Sequence, residues 1–150
     1  MSIANTLAQL AMLHKGIEGV VTVPTAYPGS LNTADLPLVL TWPGRATTRP
    51  LTARALTVRS ERQYSVRVFM EAIGQDNYDT PAQNGIVMLN RFLTKYFQNP
   101  TLADGYTQLV QVVDSGLTVG GNYVASASLV YGGNWYKGFV CDLTILEVCD

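Results

Sequence analysis

The sequence predicts an α+β domain: two helices packed on one face of a single mixed or mainly antiparallel sheet of about six to seven strands. Two stretches, near the start of the chain and at residues 82–97, repeat apolar residues at the three-and-four spacing of a helix. Elsewhere, short β-branched runs and longer runs of alternating polar and apolar residues have the character of strands. The resulting order is helix, two short strands, a long hairpin, helix, then three strands. A length of 150 residues fits one domain, 1–150, and no repeat or Gly/Ser/Pro-rich linker divides it.

From Ser2 to Lys15, Ile3, Leu7, Leu10 and Leu13 form one stripe of an amphipathic helix. His14 and Lys15 suit the negative end of its dipole, and Gly16 is expected to terminate it in a left-handed conformation. Val20 to Val23 reads as a short strand ended by Pro24, and Ala26 to Pro37 as a long loop containing Pro28-Gly29. Leu38 to Trp42 reads as a second strand stopped by Pro43-Gly44, and a polar loop then runs to Pro50. Leu51 to Arg59 and Gln63 to Ile73 are expected to form an antiparallel hairpin joined by Ser60-Glu61-Arg62.

After a break at Gly74 to Asp79, Thr80 is expected to cap a helix with Pro81 in its first turn. Ala82, Ile86, Leu89, Leu93 and Tyr96/Phe97 set its apolar face, and Asn99-Pro100 stops it. Tyr106 to Val113, Tyr123 to Tyr131 and Trp135 to Val148 read as three strands, the last two a hairpin across Gly132-Gly133-Asn134.

Only 14% of the residues are charged, against about 25% in typical soluble domains, and the formal net charge is −1. Bulk attraction to nucleic acid or anionic lipid is therefore excluded, but the charges are unevenly placed. Residues 45–67 hold Arg45, Arg49, Arg54, Arg59, Arg62 and Arg67 against Glu61, a net +5; residues 98–150 hold Asp104, Asp114, Asp142, Glu147 and Asp150 against Lys137, a net −4. Cys141 and Cys149 lie eight residues apart in one expected strand, roughly 26 Å, too far to bridge, so both are expected as reduced, half-buried thiols. No apolar run reaches the roughly 18 residues of a membrane span, and the opening residues carry no secretory pattern, so cytosolic synthesis is expected.

Catalytic chemistry is hard to place. The chain has one histidine and none of the nucleophile-elbow, phosphate-loop, dinucleotide or zinc-protease motifs, and no cofactor or metal is expected. Glu71, Asp76 and Asp79 form the one acidic cluster; a cation or an atypical carboxylate enzyme site is conceivable there, although Asp79 is better explained by the dipole of the following helix. Gly120-Gly121 and Gly132-Gly133 lie between strands, where tight turns explain them better than a phosphate cradle does. Tyr131, Trp135 and Tyr136 suit core packing or subunit contact more than base stacking. The arginine series admits three readings: a solvated strand face, a nucleic-acid-binding module, or protein contact. Protein contact carries most weight, because a basic and an acidic flank on one domain can join head to tail between copies. The candidate interface residues are Arg45, Arg49, Arg54, Arg59, Arg62, Arg67, Asp142, Glu147, Trp135 and Tyr136.

Element order and two local patterns resemble the tail terminator proteins of long-tailed bacteriophages. The resemblance rests on Leu36-Pro37-Leu38-Val39-Leu40 after the first helix and short strand, and on Tyr131-Gly132-Gly133-Asn134-Trp135-Tyr136-Lys137-Gly138-Phe139 running into Leu143-Thr144-Ile145-Leu146-Glu147-Val148. It implies a non-enzymatic virion protein, a homomeric ring, hexameric in that family, at the head-proximal end of the tail tube. Such a ring ends tube growth and joins the tail to the head-neck complex. The implied partners are further copies of the chain, the tail tube protein and a neck or head-completion protein. Genome DNA would pass through the ring without sequence-specific binding, and no membrane is involved. Assembly would take place in the host cytoplasm, and other neck or tail-completion proteins share the size and architecture.

Overall fold

The computed structural model describes residues 3–50, 58–74, 80, 82–117 and 129–149. Over these residues the chain is α+β, with two helices and one antiparallel sheet of five strands, slightly fewer than the six to seven expected. Helix α1 spans Ile3–Lys15 and α2 spans Gly85–Gln98; the strands are β1 (Leu38–Pro50), β2 (Val58–Ala72), β3 (Gln108–Asp114), β4 (Val130–Tyr131) and β5 (Asn134–Cys149). The sheet order is β1-β2-β5-β3, with β4 paired to the start of β5.

Alternation along β2 and β5 builds the core. Tyr64, Val66 and Val68 of β2 and Phe139, Cys141, Leu143 and Ile145 of β5 are buried together under Leu10 of α1 and Met88, Phe92 and Tyr96 of α2. Phe92 meets Phe139 edge-on, ring centroids 5.3 Å apart. Both helices thus cover one face. On the opposite face Leu38, Leu40, Phe69, Tyr136, Val140 and Leu129 form a smaller core, flanked by Leu31, Leu36, Trp42 and Tyr131. Gly138 lies where β2 and β5 draw closest: a Cβ there would stand 1.8 Å from the Val68 carbonyl oxygen, so only glycine fits.

Several expected boundaries move. Val20–Val23 contributes one isolated bridge, Thr22 to Leu38, because the neighbouring backbone bonds go to the Pro37 carbonyl. Pro43-Gly44 does not end β1; the register slips between Pro43 and Ala46 as a bulge, and the strand continues to Pro50. Edge position makes this possible, since the proline nitrogen faces no partner strand and has no hydrogen to lose. The hairpin is accordingly β1 with β2. Ser60-Glu61-Arg62 runs straight within β2, opposite Thr48, Thr47 and Ala46, and residues 51–57 lie outside the described residues.

Helix α2 begins at Gly85, not at Thr80, and Asn84 precedes it in a left-handed conformation (φ 63°) without a side-chain cap. Thr80 has another task, because its carbonyl and hydroxyl both accept from Lys137. The left-handed glycine after α1 is Gly19 (φ 96°), three residues beyond Gly16. Most of the expected strand at 123–131, and Gly120-Gly121, lie outside the described residues. Cys141 is free and buried, and burial, reinforced by Asp114 and Asp142, pushes its thiol up to about 12. Among the described residues no helix is long and apolar enough to cross a membrane.

α1 is anchored at its end by His14, fully buried between helices, whose Nε2 lies 2.7 Å from the Tyr96 hydroxyl while its ring packs against Phe92. Burial holds the imidazole down at about 3, so it is neutral in the fold. Between that value and the 6.5 of the unfolded chain, unfolding takes up a proton, so stability is intact above about pH 6.5 and falls as pH drops. One unit of pKa is about 1.4 kcal/mol, so urea unfolding at pH 5 is expected to give a stability roughly 2 kcal/mol below that at pH 7. His14→Gln should remove most of the difference; an undiminished difference would assign it to another group.

Candidate functional site: the arginine-bearing hairpin

Arginines occupy both strands of the hairpin. Arg45 and Arg49 on β1 are exposed, and Arg49 stands directly opposite Arg59 on β2. Like charges placed opposite each other across a strand pair are mutually destabilising. Glu61 offsets this in part, its carboxylate 3.2 Å from Arg59, but both side chains are about half exposed, and pairs of that kind contribute little. Arg62 donates through Nη1 to the Gly44 carbonyl at 2.9 Å, bracing the bulge. Arg67, further along β2, lies over the Trp42 ring at 4.2 Å from its centroid. Arg54 lies outside the described residues.

The charge separation of the linear sequence does not survive folding. β2 and β5 are antiparallel neighbours, so the basic and acidic segments interleave within one sheet and are not opposite flanks. Asp142 stands opposite Ser65, exposed and close enough to Arg67 to raise its pKa against the lowering effect of burial. Asp104 is consumed locally: burial disfavours its charge, but Thr107 N–H and hydroxyl, Tyr106 N–H and the Gln9 amide all donate to it and hold it well below the usual carboxylate range. Asp114 accepts from the Gly116 N–H in the turn after β3.

Two candidate interface residues are corrected. Glu147 is 2% exposed and accepts from the Thr6 and Tyr64 hydroxyls, so it joins α1 to the sheet and cannot meet a neighbouring copy. Desolvation, then the bond to Glu147, raises the Tyr64 hydroxyl well above its usual range and keeps it a donor. Tyr136 is 5% exposed and packs edge-on against Phe69 in the smaller core. Trp135, 45% exposed, remains on the surface.

Parity along β5 carried the signal for Glu147, since it shares the face of Cys141, Leu143 and Ile145. Sequence reasoning passed over a further cluster on the other face. Tyr27 stacks on Trp42 at 4.9 Å and 8°, with its hydroxyl 2.6 Å from the Thr41 carbonyl, while Arg67 lies on the same indole. Only the pairing of β1 with β2 brings these three together. Lys137 was missed too: its buried ammonium lies 3.8 Å from Glu71 and is bonded by Thr80, giving Glu71 a counter-charge in place of a metal. Asp76 and Asp79 lie outside the described residues.

Among the described residues no three His, Cys, Asp or Glu side chains gather closely enough to hold a metal ion. His14 and Cys141, the groups best suited to proton transfer or attack, are sealed in the core in neutral forms. The hairpin can therefore offer directed positive charge, chiefly from Arg45, Arg49 and Arg67. No family model matches the chain, and no curated protein is significantly similar to it.

Removing the Glu147 carboxylate strands two buried hydroxyls, which costs about 1–3 kcal/mol. Glu147→Ala is expected to lower unfolding free energy by that amount in urea titrations, and Glu147→Gln, which keeps an acceptor oxygen, by clearly less. Equal stability of wild type and Glu147→Ala would contradict the tether.

Proposed function

We propose that the chain is a structural subunit of a phage virion, forming a homomeric ring at the head-proximal end of the tail tube. The ring ends tube growth and joins the tail to the neck, with tube and neck proteins as partners and no catalysis. The observation that carries this reading is the exposed outer strand of the hairpin, where Arg45 and Arg49 have no ion-pair partner among the described residues and Arg49 faces Arg59. A monomer gains nothing from that crowding of cations, whereas an acidic surface on an adjoining subunit relieves it, and arginine is the charged residue most at home in interfaces.

Backbone pairing is not the means of contact. Pro43, the bulge and the arginines blunt the β1 edge against strand addition. Contact through side chains fits a subunit that must stay soluble until it meets its place in the particle. The resemblance to tail terminators, carried by residues 36–40 and 131–148, supplies the ring and its station.

Mass photometry and negative-stain imaging of the purified protein test the reading. A closed ring with a central hole is expected, hexameric if the resemblance extends that far. Arg45→Glu combined with Arg49→Glu should shift it to smaller species while circular dichroism stays unchanged. A strictly monomeric protein at high concentration that does not associate with tail tubes would overturn the proposal. Duplex or single-strand binding that weakens steeply with salt would instead assign the arginines to nucleic acid.

A further inference from the structure

We propose that Arg67, held on the Trp42 ring, is a recognition site for a carboxylate carried by an acidic peptide segment of another protein. The inference does not depend on ring assembly. It begins from an unspent group: Arg67 is half-buried, its side chain makes no hydrogen bond to any described residue, and its Nε is buried without a partner. Asp142 influences it electrostatically but forms no ion pair with it within 4 Å. A guanidinium drawn partly out of water normally spends its donors on carbonyls or carboxylates, and this one instead stands over an aromatic ring, 4.2 Å from its centroid, with its side-chain N–H groups unpaired among the described residues.

The mounting is rigid. Tyr27 stacks on Trp42, and the Tyr27 hydroxyl is fixed to the Thr41 carbonyl at 2.6 Å, so the loop before β1 braces the indole that braces the arginine. A guanidinium ordered in advance loses little freedom on binding, and its fork accepts a carboxylate through two parallel hydrogen bonds. Neighbouring positions favour a peptide. Across the sheet Trp42 stands opposite Ser65 and Ser65 opposite Asp142, all on the face away from the helices. The exposed Asp142 carboxylate opposes a phosphate dianion about twice as strongly as a singly charged carboxylate, and it can accept a peptide N–H beside a carboxylate seated on Arg67, a donor that phosphate and a nucleic-acid backbone lack.

Trp42 reports on the site directly. The chain has two tryptophans, so Trp135→Phe leaves Trp42 as the sole indole emitter. Titration of that variant with hexaglutamate should give a saturable change in emission. Arg67→Met should weaken the response roughly tenfold or more, and so should Arg67→Lys, which keeps the charge but lacks the fork. If Arg67→Met fails to fold, as judged by circular dichroism, Arg67→Lys carries the comparison. Inorganic phosphate should give no saturable response unless Asp142→Asn removes the opposing charge. The proposal fails if hexaglutamate gives no saturable change, if the response survives unaltered in the arginine variants, or if a single-stranded oligonucleotide binds more tightly than the peptide.

Discussion

β2 and β5 run antiparallel along nearly their whole lengths, Val58 opposite Cys149 and Ala72 opposite Tyr136, and this pairing sets the positions of nearly every residue discussed above. Because side chains alternate, the register, constant from Val58 to Phe69 and shifted by one residue before Glu71, decides both faces at once. It aligns Tyr64, Val66 and Val68 with Phe139, Cys141 and Leu143 under the helices, and Phe69 with Tyr136 and Val140 on the other side. A slip of one residue would bring Arg67 and Asp142 into the main core. Gly138 guards the register as well, since no other residue can sit against the Val68 carbonyl. The same pairing determines the electrostatics by folding an apparently dipolar chain into a sheet whose acids and bases interleave.

Polar tethers then fix the remaining elements to that sheet. Glu147 receives Thr6 at the first turns of α1, His14 meets Tyr96 where α1 crosses α2, and Lys137 holds Thr80 ahead of α2. The ionisable group of each is buried, and each costs desolvation that its hydrogen bonds offset only when the geometry is right. Their value lies in specificity: apolar packing alone would let two amphipathic helices slide over the sheet, whereas a carboxylate with two hydroxyls is satisfied in a single arrangement, and the His14 imidazole, its Nδ1 buried without a partner, has its one bond only where Tyr96 stands. In these tethers the scarcity of charge becomes intelligible. Several of the few ionisable groups present are spent on holding the fold together, leaving the outer helix surface with exposed Met12, Ile86 and Phe97.

How much of this was legible in the sequence depended on whether a signal was local. The period of Ile3 to Leu13 and of Ala82 to Tyr96/Phe97 is written in adjacent turns and marks both helices, but not the whole of the faces they bury: α2 starts only at Gly85 and buries Met88, Phe92 and Tyr96 while Ile86 and Phe97 face outward, and α1 buries Thr6, Gln9 and His14 beside Leu10. The alternation of Tyr64 to Val68 likewise marks β2. Pro43-Gly44 misled because proline-glycine ends a central strand but is tolerated at an edge, and whether a strand is central is a property of the sheet. Thr80-Pro81 misled similarly: as a dipeptide it is a good helix start, yet a lysine 57 residues away claims the threonine oxygens. Of the interface candidates, parity placed Glu147 among core residues, and the acidity of the side chain obscured that. The Tyr27, Trp42 and Arg67 stack joins a loop and two strands and has no linear trace.

What remains on the surface bears on assembly in a particular way. With Asp104, Asp114 and Glu147 engaged inside the chain, the sheet arginines whose side chains have neither an ion pair nor a hydrogen bond among the described residues are Arg45 and Arg49 along one edge and Arg67 on the face away from the helices. These occupy paired strands, so their directions are set before any partner arrives, and binding need not order a loop. The β1 edge is closed to strand addition by its own proline and bulge, which removes the least selective mode of association and leaves charge and shape to choose the neighbour. A subunit whose contacts reside in a few preset arginines on a weakly charged surface associates in a salt-dependent manner and discriminates against partners lacking carboxylates at matching positions. On the proposed reading, that selectivity is what a ring component requires, since it must accept its own copies and two different partners while resisting unrestricted polymerisation.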